Sequence, residues 1–123
     1  MKRSKNSIGF SLIEVLIALV ILSIALLGMA SLMSSATKYN ASGGRLTEAT
    51  TLAQDKLEIL RITPWIKIGN GVDPVIAGST GTNYSRSWLV ASNADDTLKT
   101  VNLTVGWNDG VDHSVTILSA IGK

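Results

Sequence analysis

Gly9–Met33 reads GFSLIEVLIALVILSIALLGMASLM, and from Val15 to Met33 it contains no ionisable side chain. At about 1.5 Å per residue, a helix over Phe10–Met33 is roughly 36 Å long, enough to cross a hydrocarbon core of about 30 Å. Glu14 is the exception near the start of that run. A carboxylate at membrane depth costs on the order of a few kcal/mol unless it is protonated, snorkels or meets a partner. An acid kept in such a place is a functional residue until shown otherwise.

The residues before the run sharpen the reading. Met1–Ile8 carries Lys2, Arg3 and Lys5 with no acidic residue, and Gly9 then precedes the aromatic Phe10. A short basic leader ending in glycine, followed by Phe10, a small hydroxyl residue, two apolar residues and Glu14, closely resembles the processing site of type IV prepilins and type II secretion pseudopilins. The resemblance implies cleavage between Gly9 and Phe10 by a prepilin peptidase, and methylation of the new Phe10 amine by the same membrane enzyme. Glu14 would then be the fifth residue of the processed chain and the assembly residue. At i, i+4 spacing on a helix, the Phe10 amine and Glu14 would share a face. Glu14 of an incoming subunit could instead meet the amine of a subunit already assembled, and removing either partner would leave an isolated buried charge.

Composition bounds the rest. The chain has 123 residues and a formal charge of +2, so it is at most one small domain plus an anchor. Without Lys2, Arg3 and Lys5, the 11 basic residues fall to 8 against 9 acidic ones. Beyond Gly9 there is no basic patch with interleaved aromatics, which argues against nucleic-acid binding. There is no cysteine, hence no disulfide or thiolate chemistry. The basic cluster before the span and the distance to Lys38 place the N-terminus in the cytoplasm and the bulk outside it. Two rival readings of the N-terminus are a conventional signal peptide cut after Ser34-Ser35-Ala36 and an uncleaved anchor; Glu14 interrupting the apolar run argues against the first.

Along the span, Ala18, Ser23, Ala25, Gly28, Ala30 and Ser31 are small residues that permit close helix approach. There is no proline in it, and Gly28 is its weakest helical position. Asn40-Ala41-Ser42-Gly43-Gly44 has poor helix propensity and is expected to bend or fray. From Arg45 to Arg61, Leu46, Ala49, Ala53, Leu57 and Leu60 recur every three or four residues and form one apolar stripe, ended by Thr63-Pro64. Trp65–Tyr84, punctuated by glycines and Pro74, reads as a long loop, a plain mobile one rather than a displayed contact segment for a subunit or ligand. Ser87–Ala91 reads as a short strand. Thr100–Trp107 alternates with Val101, Leu103, Val105 and Trp107 on one face, Asn108-Asp109-Gly110 has hairpin-turn chemistry, and Val111–Leu118 returns with Val111, His113, Val115 and Ile117 inward. The Leu46–Leu60 stripe is the expected cover for this sheet.

Little in the chain suggests catalysis. The single histidine, His113, falls on an apolar strand face beside Asp112 and reads as a partly buried structural residue. Asn108, Asp109 and Asp112 could offer oxygens to calcium, but their spacing is not that of an EF-hand and turn stabilisation accounts for them better. Asp95-Asp96 reads as a solvated loop. Asn40, Asn83 and Asn102 fit a glycosylation pattern, which a bacterial leader makes irrelevant. No cofactor, metal or catalytic residue is expected.

The sequence therefore leads to an α+β, pilin-like chain: leader 1–9, transmembrane helix 10–33, periplasmic amphipathic helix 34–63, and a loop with a small antiparallel sheet over 64–123. The tryptophan before the turn and the histidine-bearing return strand also resemble the C-terminal end of PilV-like minor pilins and I-type minor pseudopilins. Such a subunit would start in the bacterial inner membrane and move into a pilus or pseudopilus. Its partners would be other pilin or pseudopilin subunits, prepilin peptidase and the inner-membrane assembly platform. A single-pass protein whose periplasmic domain binds a partner without polymerising is the alternative of a different class.

Overall fold

The computed structural model describes residues 9–123. The basic leader residues Lys2, Arg3 and Lys5 lie outside the described residues. One helix, α1 (Leu12–Ile62), is followed by a short 3-10 turn (Trp65–Lys67) and five strands: β1 (Gly71–Val72), β2 (Ile76–Ala77), β3 (Asn83–Ser92), β4 (Leu98–Asn108) and β5 (Asp112–Gly122). This is the expected α+β class. The chain divides into two compact units, Met1–Asn40 and Ala41–Lys123.

In the first unit every described residue is exposed, including a run of large apolar side chains from Leu12 to Met33. α1 is unbroken through Gly28. Ser23 donates its hydroxyl to the Leu19 carbonyl at 2.7 Å and Thr37 to that of Met33 at 2.9 Å, so neither polar side chain needs water. α1 also continues through Asn40–Gly44, where fraying was expected. Thr47 and Thr50 return their hydroxyls to the Gly43 and Leu46 carbonyls at 2.9 and 2.8 Å, and packing of the following turns offsets the weak local propensity.

In the second unit the α1 segment from Ala41 lies on a sheet ordered β1-β3-β4-β5, with β2 also paired to β3 and all pairings antiparallel. Ala49, Ala53, Leu57 and Leu60 are buried against Tyr84, Trp88, Val101, Leu103, Val105, Trp107 and Ile121. Leu46, expected in the stripe, is 50% exposed, and its place beside the sheet is taken by polar contacts from Arg45 and Glu48. The helix stops where Thr63-Pro64 was expected to stop it: the Thr63 N–H bonds the Leu60 carbonyl at 3.2 Å and its hydroxyl the Ile59 carbonyl at 2.7 Å.

The strands are longer than their sequence signals. β3 begins at Asn83, so Tyr84, Arg86 and Trp88 alternate inward. β5 begins at Asp112, which leaves Val111 in the turn and 65% exposed rather than on the covered face. The hairpin turn itself is as read, with Gly110 at φ 109° and its N–H held by the Asn108 side chain at 2.9 Å.

Trp65–Tyr84 is the largest departure from expectation. It is a fixed connection whose β1 and β2 pair with β3, tied down by charged side chains. Asp73 takes Arg86 Nε at 2.6 Å and Lys56 Nζ at 3.1 Å, while Arg86 also donates to the Leu52 carbonyl at 2.8 Å. Burial pushes the Asp73 carboxyl up, but the hydrogen bonds and charges of Lys56 and Arg86 outweigh it and hold the group below its ordinary value. Glu48 accepts from the Ser79 N–H (2.6 Å), the Ser79 and Thr80 hydroxyls (2.9 and 3.2 Å) and the Tyr84 hydroxyl (2.9 Å). The Ser79 N–H first, and then Tyr84, lower its pKa, while burial and Glu48 raise that of Tyr84. Lys99, buried, donates to the Trp65 and Ile68 carbonyls at 2.7 and 3.0 Å and closes the turn after the helix. Asp96 is not merely solvated: it accepts the Trp65 indole N–H at 3.0 Å, which lowers its pKa.

Two outcomes follow from this packing. A Cβ on Gly71 would overlap the Trp88 indole, whose N–H reaches the Gly69 carbonyl at 2.8 Å. Gly71→Ala should therefore cost about 1–3 kcal/mol in denaturant unfolding of the detergent-solubilised chain and alter its tryptophan emission. Because Asp73 titrates below its ordinary 3.8 in the folded chain, the unfolded chain takes up that proton first on acidification. Its contribution is present above that value and fades as pH falls through the folded pKa. Asp73→Asn should lower stability at neutral pH by about 1–2 kcal/mol, discounted for solvent screening, and flatten the loss of stability on going to more acid pH.

Candidate processing and assembly site

The sequence singled out Gly9, Phe10 and Glu14. Gly9, Phe10 and Ser11 precede the helix, and the Ser11 carbonyl accepts the Glu14 and Val15 N–H groups at 3.0 and 3.2 Å. The start at Leu12 has a local cause: glycine is a poor helix former, and a small hydroxyl residue suits the position before the first turn. Phe10 thus stands before the first helical turn of the uncut chain, while the i, i+4 pairing expected with Glu14 concerns the amine that cleavage would create. In this uncut chain its nitrogen is a peptide nitrogen following Gly9, with no charge to bring to Glu14.

The two residues nonetheless share a side of the chain. Phe10 and Glu14 line a groove of about 360 Å³ with Val15, Ala18, Leu19 and Leu22. Phe10 is 84% exposed, and Glu14 sits in the first turn, where the helix dipole favours an acid. Among the described residues Glu14 forms no ion pair. A second groove, of about 590 Å³, lies along Ala25, Gly28, Met29, Leu32 and Ala36, where nothing lies within 4 Å of a Cβ built on Gly28. Within the described residues, α1 is the one helix long and apolar enough to cross a membrane.

Residues 4–30 match the family model described as the prokaryotic N-terminal methylation motif. The chain carries a methylation motif of the pilin and pseudopilin type. No curated protein and no solved structure matches the chain. The match includes Gly9, Phe10 and Glu14, and it ends within α1, short of the sheet.

The remaining candidates lie at the β4–β5 turn. Asp109 accepts from Arg45 Nη1 at 2.6 Å and lies 3.0 Å from His113 Nε2, while Asn108 Nδ2 donates to Asp112 at 2.6 Å. These oxygens are already engaged by the protein, and no group of three metal-ligating side chains occurs among the described residues. His113 stacks on Trp107 with ring centroids 5.4 Å apart, but its side chain is 39% exposed, so it is a surface residue rather than a partly buried one. Trp107, not His113, is the buried ring here, packed against Tyr84 with ring centroids 5.9 Å apart. Calcium or a chelator should then leave the thermal midpoint of the detergent-solubilised chain unchanged within about 1 °C, whereas a bound ion would raise it with concentration.

Proposed function

We propose that this chain is an assembly subunit of a type IV pilus, cut between Gly9 and Phe10, methylated on Phe10 and packed into the filament through its N-terminal helix. Within that class we infer a PilV-like minor pilin that primes or modifies assembly, with an I-type minor pseudopilin of type II secretion as the near alternative. The observation that carries the reading is the methylation motif over residues 4–30, set on a helix that offers an apolar surface on every side and carries one acid near its start.

The physics of the reading is a change of partner. Before cleavage, Glu14 has no cation within the described residues, and water or the membrane surface must solvate it. Cleavage creates an amine on Phe10, next to the groove that Glu14 lines. In a helix bundle, that amine from one subunit and Glu14 from the next would neutralise each other at a depth where either alone is costly. The processing enzyme is a prepilin peptidase and the partners are other pilin subunits delivered by an inner-membrane platform. The leader 1–9, the anchor 10–33 and the periplasmic remainder follow from the same reading.

Glu14→Ala separates the two steps. Cleavage should proceed as in the parent, while recovery of the subunit in sheared filaments should fall by about tenfold or more, the scale set by leaving one charge unpaired. Equal recovery of parent and variant would remove the role given to Glu14. Adjacent genes distinguish the two systems: a pilus-biogenesis cluster supports the minor pilin, and a secretin with a secretion ATPase supports the pseudopilin.

A further inference from the structure

The ladder between β1 and β3 is closed by a side chain. The Asp73 N–H bonds the Arg86 carbonyl at 2.9 Å, which continues the register Gly71↔Trp88, Val72↔Ser87 by one residue. In an antiparallel pair such bonded partners recur every second residue, so the Gly71 N–H donates to the Trp88 carbonyl. Carried one step further, the pattern would give the Val90 N–H to the Gly69 carbonyl. That carbonyl instead accepts the Trp88 indole N–H at 2.8 Å, and the Val90 N–H goes to the Asn70 side-chain Oδ1 at 2.6 Å. A primary amide therefore stands in for main chain where the ladder ends.

Asn70 is also the only asparagine in the chain followed by glycine. It is exposed, so water reaches its amide, and β1 is two residues long. A strand that short at a sheet edge opens locally without unfolding the rest. Gly71 has no Cβ to keep its nitrogen away from the Asn70 side-chain carbon. While β1 is paired, the Gly71 N–H is committed to Trp88; once β1 opens, that nitrogen is free. Asp109-Gly110, the only aspartate followed by glycine, is the opposite case. Its carboxylate is held by Arg45 and His113, and the Gly110 N–H by the Asn108 side chain at 2.9 Å, so carbon and nitrogen are both engaged.

We propose that Asn70-Gly71 is a site of spontaneous deamidation, and that its isoaspartyl product detaches β1 from β3. The Gly71 nitrogen gives its proton to water and attacks Asn70 Cγ. A new N–C bond closes a succinimide ring, the Cγ–Nδ2 bond breaks, and Nδ2 leaves as ammonia with a proton from water. Water then opens the ring on either side of the Gly71 nitrogen. The sum is chain plus water giving acid plus ammonia, with no oxidant, reductant or enzyme. Opening on the Cγ side leaves aspartate, which keeps an oxygen for the Val90 N–H. Opening on the other side leaves isoaspartate, whose main chain runs through Cβ and Cγ. Gly71 lies so close to the Trp88 indole that a Cβ on it would overlap the ring. A main chain lengthened there by a methylene does not hold both the Gly69 carbonyl on the indole N–H and Gly71 in the ladder.

The test is peptide mapping by mass spectrometry of the full chain, kept in detergent micelles in mildly alkaline buffer, with an isoaspartyl methyltransferase to label the isoaspartyl product. With the sheet unfolded in urea, Asn70 should convert before every other asparagine. In the folded chain it should still convert first, slowed by the same factor as hydrogen exchange at the Gly71 amide, about tenfold or more, because both need β1 to open. An intact Asn70 after that interval, or earlier conversion of another asparagine, would overturn the proposal. Asn70→Gln, whose longer side chain closes the corresponding ring far more slowly, should abolish the mass gain in this peptide. A gain at the parental rate would place the reaction elsewhere and overturn it too. For the detachment, Asn70→Asp should leave exchange of the Trp88 indole N–H as in the parent, while the isoaspartyl chain should lose about tenfold or more of that protection. Equal exchange in the two products would overturn this part. None of these results depends on processing at Phe10, so a failure here is separate from a failure of the assembly reading.

Discussion

Apolar surface without a protein cover is the constraint on which the rest of this molecule depends. From Leu12 to Met33, 15 large apolar side chains are exposed. At about 1.5–3 kcal/mol for each such side chain left in water, the total is tens of kcal/mol, well beyond the roughly 5–15 kcal/mol by which a folded domain is stable. No rearrangement of a small sheet could hide that surface. It must lie in lipid or among other helices, and the single acid at its start must be accommodated in the same surroundings. The internal hydroxyl bonds of Ser23 and Thr37 suit both environments, since neither of these two hydroxyls then requires water.

The second unit works by ordinary burial with a polar frame. Its core is the Ala49, Ala53, Leu57 and Leu60 face against Tyr84 and the inward residues of β4. Alanines at the two first positions let the helix approach the sheet closely, and the larger aromatic residues supply the volume. Around that core, Glu48, Asp73 and Lys99 each fix a different part of the connection between helix and sheet. All three act through hydrogen bonds from or to loop backbone or neighbouring side chains, so the connection keeps one conformation despite its glycines.

How much of this was legible depends on the range of the interaction. The helix, its stop at Thr63-Pro64, the hairpin turn and the alternation of Thr100–Trp107 are local, and period or turn chemistry reveals them. The ordered connection was hidden because its ties come from residues distant in sequence: Asp73 from Arg86 and Lys56, Ser79 from Glu48. A signal did exist in Tyr84-Ser85-Arg86-Ser87-Trp88, whose alternation extends β3 backward and puts a charged residue inside, where it needs an acid. Leu46 and Val111 matched the apolar period but lie where the cover ends, and period alone does not mark that limit. At the N-terminus, the motif over residues 4–30 was readable from the order of its residues alone, whereas the helix start at Leu12 was not marked by the apolar run, which begins at Phe10.

In the proposed assembly, a cut before Phe10 supplies the charge that Glu14 lacks among the described residues. Intact-mass and N-terminal fragment analysis of the chain extracted from its native membrane tests this directly. An N-terminus of N-methylphenylalanine at Phe10 is the expected result. A chain that still begins at Met1, or one that begins after Ala36, would contradict it.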